Sequence, residues 1–254
     1  MRWTSSSVVT CSLLVLGLAL GGCVSAQRQS RAIARVDLGH AYLVEGDTEL
    51  AIATLQEATK LDRRNVDAWH QLALALVARG ANDEAEDAFK RALRLTPEDA
   101  AVNLNYAYLL QKLQRNPEAI ERLEVARKDL TYRKPAMVLN NLGYAYLMEG
   151  HSDAAVAALQ EAVARQPNFC AAWYNLGLAY ESAQEIARGL EAMDQVVMIC
   201  PDEFPEASLK AGEFLVGMGK PDEGAVYLRK VVANWPGTPL SARAKDQLAL
   251  VEAP

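Results

Sequence analysis

The sequence predicts an all-α protein assembled from a repeated pair of helices. Three observations carry that prediction. The segment Leu38-Gly39-His40-Ala41-Tyr42 recurs as Leu142-Gly143-Tyr144-Ala145-Tyr146 and as Leu176-Gly177-Leu178-Ala179-Tyr180, the last two 34 residues apart. A fixed period of this size marks stacked supersecondary units. Ala and Leu are abundant and aromatics scarce, which favours helices because Ala and Leu cost least in a helix interior. Glycine and proline punctuate the repeat. Gly46, Gly80, Gly150 and Gly219 fall where a first helix ends, and Pro97, Pro167, Pro201 and Pro236 follow the second helices, where proline blocks continuation.

Period and spacing resemble the tetratricopeptide repeat, with its pattern of Trp, Leu-Gly, Tyr, Ala, Phe, Ala and Pro. Six repeats are placed at 32–65, 66–99, 100–133, 136–169, 170–203 and 205–238. The second carries Trp69, Leu72, Ala85, Phe89, Ala92 and Pro97; the fourth Leu142, Gly143, Tyr146, Ala155, Ala162 and Pro167; the fifth Trp173, Leu176, Gly177, Tyr180 and Pro201. The first, third and sixth match less closely: Arg63 stands where Pro is expected, and Gly224 and Val231 replace the two alanines. Small residues at the eighth and twentieth positions are expected where the two helices of a repeat cross. A single helix pair cannot bury its apolar face alone, so stacking into a superhelix completes the core. Residues 239–254 read as a capping helix, with Ala242, Ala244, Leu248 and Val251 covering the last repeat.

The first residues are expected to lie outside the fold. Arg2 precedes an apolar run from Val8 to Leu20 that ends in Leu20-Gly21-Gly22-Cys23. Positive charge followed by a short apolar stretch describes a secretory leader. Its end resembles the bacterial lipobox, which implies that residues 1–22 are a lipoprotein signal peptide and that Cys23 is acylated. Several acyl chains give stable membrane anchoring where one does not. Val24 follows, not the Asp that resembles an inner-membrane retention signal, so the expected location is the outer membrane, lipid-anchored and facing the periplasm. Residues 23–31 read as the lipidated cysteine and a short polar tether.

Chemistry is conspicuous by what is missing. The chain holds no Gly-rich phosphate loop, His-Glu-x-x-His, Gly-x-Ser-x-Gly or calcium loop. No enzyme, cofactor or small-molecule substrate is expected. A net charge of −6 with acids and bases interspersed argues against nucleic acid, which is gripped by clustered Lys and Arg. His40 and His70 map to the same side of neighbouring repeats. They read as exposed groove histidines rather than a metal pair.

In tetratricopeptide superhelices the first helices line a concave face, through positions two, five, nine and twelve of each repeat. Here those positions supply an apolar protein-binding groove of Val36, Leu43, Leu74, Val77, Leu104, Tyr108, Tyr144, Leu147, Tyr174 and Leu178. Exposed apolar surface of this extent marks an interaction site, or is covered by the curl of the superhelix itself. The Lys and Asn that clamp a C-terminal carboxylate in chaperone-cofactor repeats are absent at positions five and nine.

Lipobox, tether, six repeats and capping helix together resemble the type IV pilus biogenesis lipoproteins of the PilF/PilW/Tgl group. The resemblance is strongest in Leu38-Gly39-His40-Ala41-Tyr42-Leu43, Gly46-Asp47-Thr48-Glu49, Leu104-Asn105-Tyr106 and Leu139-Asn140-Asn141-Leu142-Gly143. It implies a pilotin that binds outer-membrane secretin subunits (PilQ-like) and promotes their localisation and multimer assembly, with the lipid bilayer as second partner. The alternative is an envelope scaffold docking proteins such as peptidoglycan enzymes. Cys170 and Cys200 lie outside the repeat pattern, at positions one and thirty-one of the fifth repeat. The start of the first helix there lies beside the end of the second, which predicts a disulfide in an oxidising periplasm. The other possibility is two buried thiols acting as small apolar groups.

Overall fold

A computed structural model describes the backbone of residues 7–129 and 131–252 and the side chains of 26–129 and 131–252. Among the described residues there are thirteen α-helices and no strand: α1 (Ser7–Glu45), α2 (Thr48–Leu61), α3 (Val66–Arg79), α4 (Asn82–Leu95), α5 (Ala100–Lys112), α6 (Asn116–Arg127), α7 (Pro135–Met148), α8 (Ser152–Arg165), α9 (Cys170–Ser182), α10 (Ile186–Ile199), α11 (Pro205–Gly217), α12 (Pro221–Asn234) and α13 (Pro239–Val251). The all-α repeat class predicted from the sequence is what the chain adopts. None of the described helices is long and apolar enough to cross a membrane. The lipidation expected at Cys23 falls outside the described side chains. Residues 26–31, expected as a tether, are helical and run into the first repeat without a break.

Each helix starts and stops for a local reason. Asn65 and Asp99 accept hydrogen bonds from the backbone N–H of Ala68 at 2.9 Å and of Val102 at 3.0 Å, so each caps the first turn of α3 or α5. Proline occupies the first turn of α6, α7, α11, α12 and α13, where its missing N–H costs nothing. Gly80 ends α3 at φ 84°, a left-handed conformation. In the third and fifth repeats the same turn position holds Gln114 and Gln184 at φ 59° and 65°.

The chain divides into two compact units, Met1–Leu109 and Leu110–Pro254. In the first, α1 packs on α2, α2 on α3, α3 on α4, and α1 reaches α3. A Cβ added to Gly39 would stand 2.5 Å from Leu55 Cγ, so glycine lets α1 and α2 cross closely. Phe89 is fully buried and stacks on Tyr106, ring centroids 5.5 Å apart. The Tyr106 hydroxyl donates to Glu86 at 2.9 Å.

In the second unit α7 packs on α8, α9 on α10 and α11 on α12, and each pair also packs on the helix that follows it. Gly143 faces Leu159, and Gly177 faces Met193 and the Gly189 carbonyl. The sixth repeat uses glycine twice. A Cβ on Gly212 would stand 2.9 Å from Leu228 Cγ, and one on Gly224 would stand 2.8 Å from the Gly212 carbonyl oxygen. Gly224 thus fills the role of the missing alanine by bringing α11 and α12 closer still. Cys170, at the start of α9, is bonded to Cys200, at the end of α10, with Cα atoms 6.4 Å apart. Helix α13 closes the array, packing Ala244 and Leu248 against Leu209, Leu228 and Val231.

Candidate protein-binding face

The candidate face is built from the first helix of each repeat, and each unit presents its own. In residues 1–109, Leu43, Leu74 and Val77 are half-buried and Tyr108 is 56% exposed. Val36 and Leu104 require a correction. Expected on the lining, both are only 3% exposed. Both occupy the fifth position of a repeat, which in the first three repeats turns inward against the neighbouring helices. Val36 packs there against Ala58 and Ala68.

His70 occupies the same position and is likewise buried, not an exposed groove histidine. Its Nε2 lies 2.8 Å from Asn105 Nδ2, tying α3 to α5. With the amide nitrogen donating, this ring nitrogen accepts. Burial lowers the His70 pKa from its ordinary value, opposed by the charges of Asp99 and Asp67. His40 remains exposed. Among the described residues no cluster of three or more His, Cys, Asp or Glu has metal-binding geometry.

In residues 110–254 the face is graded from apolar to charged. Tyr144 and Met137, each 38% exposed, stand beside half-buried Leu147, Tyr174 and Leu178. Beneath them Asn175 donates to Asn140 at 2.9 Å, and Gln111 donates to the Asn141 carbonyl at 2.7 Å. These bonds fix the spacing of successive first helices, so the exposed rings are held on a rigid floor. Tyr174 lies 6.1 Å from the Phe204 ring, and burial, with Glu206 next, raises its pKa.

Toward α11 and α13 the lining turns ionic. Lys210 Nζ lies 2.8 Å from Glu181 and 3.8 Å from Glu213, and Arg243 lies 2.6 Å from Glu213. Sequence reasoning anticipated the apolar part of the face but not this ionic end, where Lys210 and Arg243 neutralise Glu181 and Glu213. The available signal was an unlike charge at position twelve of one repeat and position six of the next. The arrangement offers an apolar, aromatic surface with a self-compensated charged end. It suits the capture of an apolar segment of polypeptide, and the charged groups at its end are paired with one another.

The sequence pattern of the tetratricopeptide repeat family matches residues 36–100, 104–168 and 140–207, and further repeat patterns match 76–131 and 206–238. This chain belongs to the tetratricopeptide repeat family. Among its relatives is the type IV pilus assembly protein PilF of Pseudomonas aeruginosa, 31% identical over 141 residues, covering 52% of this chain and 56% of that protein. Another is human protein O-mannosyl-transferase TMTC3, 27% identical over 206 residues, covering 75% of this chain and 22% of that protein. The chain therefore spans about a fifth of one of these curated relatives and about half of the other. The crystal structure of PilW, a widely conserved type IV pilus biogenesis factor, superposes with a TM-score of 0.76 at 24% identity, covering 83% of this chain and 96% of that one. The tetratricopeptide repeats account for the scaffold and for the position of the candidate face.

Proposed function

We propose that this tetratricopeptide repeat protein is a lipid-anchored outer-membrane pilotin, which holds secretin subunits and promotes their multimerisation for type IV pili. The observation that carries the reading is the surface of residues 110–254, where Tyr144 and Met137 stand exposed beside Leu147, Tyr174 and Leu178. Aromatic and large aliphatic groups held rigidly on one face are where binding energy concentrates. Similarity to PilF supplies the process, and the Leu20-Gly21-Gly22-Cys23 motif supplies the anchor. A secretin subunit in the periplasm carries unpaired, apolar strand edges that associate with one another. A tethered apolar face would shield one such segment and raise its concentration at the membrane.

The test is the heat- and detergent-resistant secretin band in outer membranes. Met137→Glu with Tyr144→Glu should reduce the band while the protein stays folded and anchored, and Cys23→Ala should remove the protein from the outer-membrane fraction. Normal multimers in a strain lacking the whole chain would defeat the pilotin reading and leave the envelope scaffold.

A further inference from the structure

A second site lies in the first unit, away from the first-helix face. The ends of α2 and α4 and the start of α3 border an open cavity of about 640 Å³, whose wall includes Lys60, Arg63, Arg91 and Arg94 together with Trp69 and Leu72. The chain as a whole is acidic, with a net charge of −6, yet no acidic side chain lines this cavity. None of the four cations makes an ion pair with another described residue. Lys60 and Arg94 sit in the last turns of their helices, where positive charge complements the helix dipole. That explains two of the four but not Arg63, in the connecting turn, or Arg91, a turn earlier in α4.

The same chain provides an internal comparison. The corresponding cavity between the third and fourth repeats measures about 60 Å³ and is lined by Arg127 and Arg165 together with Asp129 and Glu161. There Glu161 lies 3.5 Å from Arg127 and 2.8 Å from Arg165. Glu161 and Arg91 occupy the same position, the twenty-sixth, of the fourth and second repeats. One repeat junction is thus filled and neutralised from within. The other is open, ten times larger and left cationic.

We propose that this cavity binds the phosphate headgroup of an anionic phospholipid. Basic side chains in its wall would hold the phosphodiester oxygens by charge-assisted hydrogen bonds. The volume exceeds what a bare phosphate ion needs and suits a headgroup with its glycerol. Trp69 contributes an amphipathic ring: its Nε1 donates to the Arg63 carbonyl at 3.0 Å, and the indole lines the cavity together with Leu72. Indole, aliphatic carbon and basic side chains together are the residue set of a membrane–water interface. The cavity also belongs to the first two repeats, the first of which begins with the C-terminal part of α1, the helix whose span includes position 23. The proposal rests on the reading of Cys23 as the lipid anchor, which would hold these repeats near the bilayer surface. Headgroup binding would then add a second attachment and orient the anchored protein.

The experiment uses the full acylated protein, with Trp173→Phe and Trp235→Phe so that Trp69 reports the cavity. It is placed in nanodiscs of phosphatidylcholine alone or with phosphatidylglycerol added. Loss of acrylamide quenching of Trp69 only in phosphatidylglycerol discs, reversed by salt and by Arg63→Glu with Arg91→Glu, supports the proposal. Both variants change exposed side chains, and unchanged thermal unfolding confirms that the fold survives. Equal protection by inorganic phosphate in phosphatidylcholine discs overturns it in favour of a free-anion site. Protection by a poly-glutamate peptide but not by phosphatidylglycerol overturns it in favour of an acidic protein partner. If the wild-type chain fails to co-purify with any disc, the anchor reading fails instead. The cavity is then tested by titrating dihexanoylphosphatidylglycerol below its micelle concentration. Each basic side chain removed should weaken that binding about fivefold, and no binding overturns the headgroup site itself.

Discussion

Gly143→Ala adds a single carbon at the crossing of α7 and α8, and two effects oppose each other there. Alanine is favoured over glycine in a helix interior by about 1 kcal/mol. Against this, the new Cβ would overlap Leu159 Cγ and stand 3.0 Å from both Leu159 δ-carbons. Leu159 is fully buried among Leu139, Ala155, Ala162 and Leu176, so its branch point has nowhere to go without moving α8. Overpacking of this kind costs roughly 1–3 kcal/mol, and the enclosed Cγ places the cost at the upper end. The net expectation is a loss of about 1–2 kcal/mol, or about 2–8 °C in Tm at 2–4 °C per kcal/mol.

The clash has one identifiable partner, so Leu159→Ala provides the control. Alone it should cost about 2–5 kcal/mol through the cavity it leaves. Combined with Gly143→Ala, the clash vanishes and the double variant should be more stable than the sum of the two predicts. Urea midpoints followed by circular dichroism measure all three, with hydrogen exchange in α7 and α8 localising the effect, since repeat arrays do not always unfold in one step. A Gly143→Ala protein at or above wild-type stability would refute the reasoning, because helix propensity would then outweigh the close approach. Gly177→Ala should cost less, since the first atom it meets is the flexible Met193 methyl at 2.6 Å, although the Gly189 carbonyl at 3.2 Å limits the relief.

Two further outcomes are expected. The Cys170–Cys200 bond closes a loop with a sequence separation of 30, for which the chain-entropy relation gives about 3–4 kcal/mol; reductant should lower the urea midpoint of the wild type but not of a Cys170→Ala, Cys200→Ala protein, and an unchanged wild type would show that the bond contributes nothing. His70 carries a pKa lowered by burial in the folded protein, so the unfolded chain binds the proton first. Its contribution to stability is complete above the unfolded value near 6.5 and is lost as pH falls below it. The loss on acidification should shrink in His70→Gln, and equal losses in both proteins would assign the pH dependence to other groups.

Much of this architecture was readable before any coordinates. Helix pairing, the repeat period, the glycines at the crossings and the proximity of Cys170 to Cys200 all depend on residues close in sequence, within one helical hairpin. A side chain at the eighth position meets its partner sixteen residues later, as Gly39 meets Leu55 and Gly143 meets Leu159, so a local pattern suffices to specify the contact. The exposure of Tyr108 and Tyr144 follows similarly from one face of one helix.

What only the tertiary structure decided lies between repeats. The fifth position of each first helix can face either a binding surface or the neighbouring first helix, and helical periodicity cannot separate two directions so close in angle. The inter-repeat packing buries Val36, His70 and Leu104 there, while ninth-position Tyr108 and Tyr144 remain outside. The charges obey the same division. Lys60, Arg63, Arg91 and Arg94 read in the sequence as ordinary solvated cations interspersed with acids. They line one cavity only because α2, α3 and α4 bring them together, and none of the intervening carboxylates joins its wall. Sequence set the composition of each hairpin; stacking determined which of its side chains still meet solvent and one another, because burial is a property of the neighbour as much as of the residue.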